Sequence, residues 1–125
     1  MIRTILAIDD SATMRALLQT TLAQAGYDVT VAADGDRGIE AASVTPFDLV
    51  LTDHNMPGKS GLEVIAALRA WPPYQATPIL VLTTESGDAF KTAARDAGAT
   101  GWIAKPIAPD MLTELVASLS AQTAS

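Results

Sequence analysis

Short apolar runs alternate along this chain with stretches in which apolar side chains return every three or four positions. Thr4-Ile5-Leu6-Ala7-Ile8, Phe47-Asp48-Leu49-Val50-Leu51-Thr52 and Ile79-Leu80-Val81-Leu82 read as strands, with shorter ones at Val29-Thr30-Val31-Ala32 and Trp102-Ile103-Ala104. Runs this apolar suit strands covered on both faces, as in parallel sheets. Ser11 is the predicted cap of a first helix, in which Met14, Leu17, Leu18 and Leu22 recur at helical spacing up to Gly26. Asp34-Gly35 opens a second helix through Gly38, Ile39, Ala42 and Ser43, and Pro46 breaks it. Ser60 caps a third from Leu62 to Ala70 with Leu62, Ile65 and Leu68 as its buried stripe, and Pro72-Pro73 end it. After the strand launched by Pro78, Ser86-Gly87-Asp88 start a helix through Phe90, Ala94 and Ala97 to Gly98. Pro109 suits the first turn of a last helix, with Met111, Leu112, Leu115, Val116 and Leu119 as its apolar face and Ala121 to Ser125 as a frayed tail. Five successive βα units predict an α/β domain around a five-stranded parallel sheet.

The strands end in reactive side chains. Asp9-Asp10 follow the first strand and Asp53 closes the third, leading into His54-Asn55-Met56-Pro57-Gly58. Thr83 closes the fourth, and Lys105 follows the fifth just before Pro106. In an open parallel sheet, ligands sit at the carboxyl ends of the strands. Three carboxylates, a hydroxyl and an ammonium there describe an acidic Mg2+ pocket with a phosphorylatable aspartate. Mg2+ takes oxygen ligands and is typically bound through one or two carboxylates plus phosphate and water. A carboxylate is a weak nucleophile, so an aspartyl phosphate needs neutralising charge around it. Lys105 offers a point charge to a phosphoryl oxygen and Thr83 a hydroxyl donor, and phosphoryl transfer is mostly positioning and electrostatics.

Composition narrows the function without identifying it. The chain has 125 residues, the size of one domain, and no output domain is expected beside it. The formal net charge of −6 argues against a nucleic-acid footprint, which needs clustered Lys and Arg. No apolar stretch approaches the length of a membrane span and no signal-peptide pattern opens the chain, so a cytoplasmic protein without membrane insertion is expected. The absence of cysteine excludes disulfides and thiolate metal sites. The single His54 cannot build a His-rich metal site.

Each strand-end residue has an ordinary explanation when taken alone. An Asp after a strand is usually a turn or cap residue, and Asp-Asp before a helix cap complements the helix dipole. Thr at a strand end reflects β-propensity, and Lys-Pro is common in loops. Their occurrence together at four strand ends, in one βα register, is what points to chemistry. His54, beside Asp53, is expected at the edge of the site as a partly exposed residue without a chemical role. Trp71 is expected to anchor a helix end.

With these segments in view, the chain resembles the receiver domain of two-component response regulators, most closely the single-domain chemotaxis type. The matching segments are Ile8-Asp9-Asp10-Ser11 with Thr13-Met14-Arg15, Asp53-His54-Asn55-Met56-Pro57 with Gly61-Leu62-Glu63, Leu82-Thr83-Thr84-Glu85, and Gly98-Ala99-Thr100-Gly101-Trp102 with Lys105-Pro106. The resemblance implies a flavodoxin-like doubly wound (βα)5 fold with strand order 2-1-3-4-5. It also implies that Asp53 accepts phosphate from a histidine kinase, with Mg2+ held by Asp10, Asp53 and the Asn55 carbonyl and by Asp9 through water. Thr83 and Lys105 would grip the phosphoryl group, with Thr84 beside them. Trp102 would be the aromatic whose rotamer accompanies activation, Asn55 and Glu85 would tune dephosphorylation, and Lys105-Pro106 would be cis.

Three departures are visible. Trp102 is bulkier than the usual Tyr or Phe, Ser60 stands where an acidic residue is frequent, and Thr84 is larger than alanine and is expected to narrow access to Asp53. The expectation is a monomeric signalling domain, not an enzyme beyond assisting its own phosphorylation and dephosphorylation. It would contact a downstream protein through its fourth helix, fifth strand and fifth helix, where Phe90, Trp102 and Met111 are expected to lie. A phosphate shuttle or sink is the alternative within signalling. An aspartate-nucleophile phosphatase is the alternative outside it, but such enzymes usually place a second Asp where this chain has Asn55.

Overall fold

The computed structural model describes residues 1–123, and the last two positions of the expected tail lie outside the described residues. Five strands, β1 (Thr4–Ile8), β2 (Asp28–Ala32), β3 (Leu49–Asp53), β4 (Ile79–Thr83) and β5 (Gly101–Ala104), alternate with five helices. These are α1 (Ala12–Gln24), α2 (Gly35–Val44), α3 (Gly61–Arg69), α4 (Asp88–Ala97) and α5 (Pro109–Thr123). All strand pairs are parallel and the order is β2-β1-β3-β4-β5, as the resemblance implied.

The apolar runs are explained by burial on both sides. In β1, Leu6 and Ile8 face a core shared with Val50, Val81, Ile65, Leu68 and Phe90. Ile5 and Ala7 face the opposite core, with Leu51, Leu82, Leu18, Leu22, Leu112 and Val116. The sheet is therefore covered by α2, α3 and α4 on one side and by α1 and α5 on the other. No solvent face remains to demand polar alternation in the central strands. Among the described residues, no helix is long and apolar enough to cross a membrane.

Several helix ends follow their sequence signals. The Ser11 side chain accepts from the Met14 N–H. Ser60 and Glu63 form a reciprocal capping box, so serine serves fully as a cap where an acidic residue is frequent. Gly98 ends α4 with φ 100°, a conformation that favours glycine.

Four expectations need correction. β2 starts at Asp28, one residue before the apolar run, because parallel pairing to Thr4 recruits it. α5 continues through Thr123, so Ala121 begins no frayed tail. Met111 is 69% exposed and lies outside the buried stripe of α5. Phe90 is buried in the core and does not form part of an outer surface. An unexpected 3-10 turn spans Pro72–Tyr74. It seats Tyr74 in the core, where its hydroxyl donates to the Ala42 carbonyl at 2.8 Å, while Trp71 packs beside it.

Candidate functional site

In this strand order the chain reverses direction across the sheet between β1 and β3, which opens a crevice beyond their carboxyl ends. Asp9 and Asp10 follow β1 and Asp53 ends β3, so one topological feature brings together residues more than forty positions apart. Carboxylate oxygens of Asp9, Asp10 and Asp53 all lie within 4.8 Å of one another. Asp9 and Asp53 are buried, whereas Asp10 is exposed at the rim.

Lys105 enters the cluster from the end of β5. Its Nζ lies 2.7 Å from Asp53 Oδ1 and 3.7 Å from Asp9 Oδ2. The Lys105-Pro106 bond is cis, in agreement with the resemblance. Asp53 Oδ1 also accepts from the His54 N–H at 2.9 Å. Both bonds fall on one oxygen, and Asp53 Oδ2 accepts none among the described residues.

Asp9 is held by its surroundings. Its Oδ1 accepts from the Ser11 N–H at 2.9 Å, and its backbone carbonyl accepts from Arg15 Nη1 at 2.8 Å. Oδ2 is buried without a hydrogen-bond partner. Burial holds the Asp9 carboxyl above the ordinary carboxylate range, and the Asp53 and Asp10 charges push the same way against the Ser11 N–H and Lys105. For Lys105, burial works against the ammonium. The Asp53 hydrogen bond and the charges of Asp9, Asp53 and Asp10 outweigh it and raise its pKa above the ordinary lysine value. A buried carboxylate oxygen without a hydrogen bond, in an all-oxygen donor set, fits a hard divalent cation such as Mg2+.

Backbone packing aims the nucleophile candidate. α3 starts against the end of β3 so closely that a Cβ at Gly61 would collide with the Asp53 carbonyl. Thr83 is buried at the end of β4, and its Oγ1 accepts from the Glu85 N–H at 2.9 Å.

A family model for the response regulator receiver domain matches residues 5–117. The chain belongs to the response regulator receiver family. A chemotaxis protein CheY homolog of Campylobacter jejuni is 37% identical over 114 residues, covering 88% of this chain and 86% of that protein. The structure of chemotaxis protein CheY4 of Vibrio cholerae superposes with a TM-score of 0.90 at 39% identity, covering 94% of this chain and 98% of that one. A response regulator protein from Burkholderia multivorans is 75% identical, with a TM-score of 0.82 and 96% of each chain covered. This is a CheY-like receiver domain of the chemotaxis type, a two-component signalling protein.

Within the receiver, the structure gathers the carboxylates of Asp9, Asp10 and Asp53 and joins Lys105 to Asp53 and Asp9, with Thr83 at the neighbouring strand end. Asn55 and Thr84 are exposed, and neither side chain hydrogen-bonds to the cluster among the described residues. Trp102 is partly exposed on β5, and Lys91 Nζ stands 5.6 Å from its ring centroid. Two supports were missed from the sequence. Arg15 was read only as part of a matching segment, and its reach to the Asp9 carbonyl follows from one helical turn past Ser11. His54 was assigned no chemical role, yet its Nε2 lies 3.5 Å from Glu85 Oε2. No local signal announces that contact, because it joins two loops.

Proposed function

We propose that this receiver is a phosphorylation switch in which Asp53 takes a phosphoryl group from a phosphohistidine on a histidine kinase. The P–N bond breaks and a P–O bond forms to Asp53. The bond's electron pair stays with the imidazole nitrogen, giving an acyl phosphate. The observation that carries this reading is the contact of Lys105 with Asp53 inside the three-carboxylate cluster.

Asp10, Asp53 and the Asn55 carbonyl would hold Mg2+, with Asp9 acting through water. When bound, the ion neutralises charge between the carboxylates and the incoming phosphoryl oxygens. The protein's own residues do the rest. Lys105 moves its hydrogen bond from the carboxylate to a phosphoryl oxygen, and Thr83 turns its hydroxyl to donate to another. That turn releases the Glu85 N–H, which Thr83 Oγ1 accepts from in the resting structure. Asn55 and Glu85 flank the opening through which water reaches the acyl phosphate, and their polarity favours a short-lived signal.

The output is a change in protein contacts across α4, β5 and α5, with Trp102 as the packing element that follows Thr83. Amide NMR spectra with and without a small phosphodonor and Mg2+ test this. Shifts should appear at the cluster and extend across β5 and the facing sides of α4 and α5. Shifts confined to the strand ends would contradict a switch and favour a phosphate sink.

A further inference from the structure

We propose that His54 is a positioning residue that holds the Glu85 carboxylate at the edge of the phosphoacceptor pocket and so sets the lifetime of the phosphoryl group. This rests on the reading of Asp53 as phosphoacceptor. His54 is tied at both ends. Its backbone N–H donates to Asp53 Oδ1 at 2.9 Å. Its ring stands edge-on to Phe90, centroids 4.9 Å apart and planes at 64°. Phe90 is itself buried in the core and gives the imidazole a packed face. On that face Nε2 lies 3.5 Å from Glu85 Oε2.

The tautomer follows from burial. His54 Nδ1 is buried without a hydrogen-bond partner. Nδ1 is unpaired in either tautomer, so the choice falls to Nε2, where the Glu85 carboxylate accepts a proton and repels a lone pair. The neutral ring therefore carries its proton on Nε2, the nitrogen that stands 3.5 Å from Glu85 Oε2. In the resting structure the Glu85 N–H also donates to Thr83 Oγ1, and because the proposed turn of Thr83 releases that bond, the hold on Glu85 in the phosphorylated protein falls to His54. Without His54, a side chain that is 49% exposed has nothing to hold it among the described residues.

Hydrolysis of the acyl phosphate needs a water in line with the bond that breaks. Water oxygen attacks phosphorus, the P–O bond to Asp53 breaks, the electron pair returns to the carboxylate, and the water proton leaves to solvent or to Glu85. A fixed carboxylate orients that water, and a wandering one does so only part of the time. Phe90 explains why the device uses histidine. The aromatic ring packs as phenylalanine would, and the nitrogen adds the polar contact.

The test compares the lifetime of phosphorylated wild type, His54→Phe, His54→Gln, Glu85→Leu and His54→Phe/Glu85→Leu after removal of a small phosphodonor. His54→Phe keeps the contact with Phe90 and loses the nitrogen, and should lengthen the lifetime by roughly two- to fivefold, the scale of one weak polar contact to a half-exposed carboxylate. His54→Gln places an amide nitrogen at similar reach and should restore a short lifetime. In the Glu85→Leu background, His54→Phe should change nothing further. An unchanged lifetime in His54→Phe, or effects of the two substitutions that simply multiply, would overturn the proposal while leaving Asp53 as phosphoacceptor. Failure of wild type to take up any phosphoryl group would overturn the underlying reading and this inference with it.

Discussion

Lys105 Nζ donates to Asp53 Oδ1 at 2.7 Å, joining residues 52 positions apart across the width of β4. The contact makes one cation serve the resting site and, in the proposed mechanism, the phosphorylated one. In the resting site it balances part of a three-carboxylate cluster. On phosphorylation the same ammonium has a stronger acceptor within reach, and its shift of partner is the first movement of the switch.

Lys105→Met should therefore accept phosphate on Asp53 without transmitting it. Trp102 gives the readout when Trp71 is replaced by Phe. With Lys105 in place, acrylamide quenching of Trp102 should fall on phosphorylation but not vanish. An indole is large for a packed site, and overpacking costs roughly 1–3 kcal/mol. With Lys105→Met the quenching should stay at its resting level. Complete loss of quenching in the Lys105 protein would contradict the crowding argument, and no change there would remove Trp102 from the switch.

The Asp9 carboxyl contributes a pH dependence of definite sign. Its pKa is raised in the fold, chiefly by burial, so the folded protein holds that proton more tightly than the unfolded chain. Ionising it costs stability as pH rises through the carboxylate range. In metal-free protein, Asp9→Asn should raise the Tm at neutral pH, and the advantage should fade as pH drops below that range. The amide keeps an Oδ1 for the Ser11 N–H. Added Mg2+ should raise the Tm of wild type more than that of the variant. Thermal unfolding with and without chelator, across pH, checks both statements.

Gly61→Ala should destabilise the fold by roughly 1–3 kcal/mol, the usual cost of overpacking. The new methyl would meet the Asp53 carbonyl, which is backbone and cannot swing away. Chemical denaturation measures the loss, and a change below a few tenths of a kcal/mol would show that α3 can shift. Ser60→Ala, which removes the adjacent cap, is the control, expected to cost about 1 kcal/mol.

The legible parts of this protein are those dictated by local periodicity. The doubly buried strands announced themselves as continuous apolar runs, and Asp9, Asp53, Thr83 and Lys105 were visible because each closes or follows one. Strand order came from the resemblance, because nothing in a single βα unit says which neighbour a strand will take. Phe90 was placed on the outer surface because helical spacing does not say whether one position at the edge of a stripe turns inward. Tyr74 and its 3-10 turn hid behind Pro72-Pro73, which look like a simple stop. The contact of His54 with Glu85 depends on where two loops finish, which is set by β3 pairing with β4 and by Phe90 beneath the ring.

Phosphorylation of Asp53 is the claim on which the rest depends, and intact-protein mass spectrometry measures it directly. Incubated with a small phosphodonor and Mg2+, the wild-type protein should gain one phosphoryl group. Chelation of Mg2+ should prevent the gain, and Asp53→Asn should abolish it. Labelling of Asp53→Asn to the wild-type level, or full labelling of wild type without a divalent cation, would contradict the account.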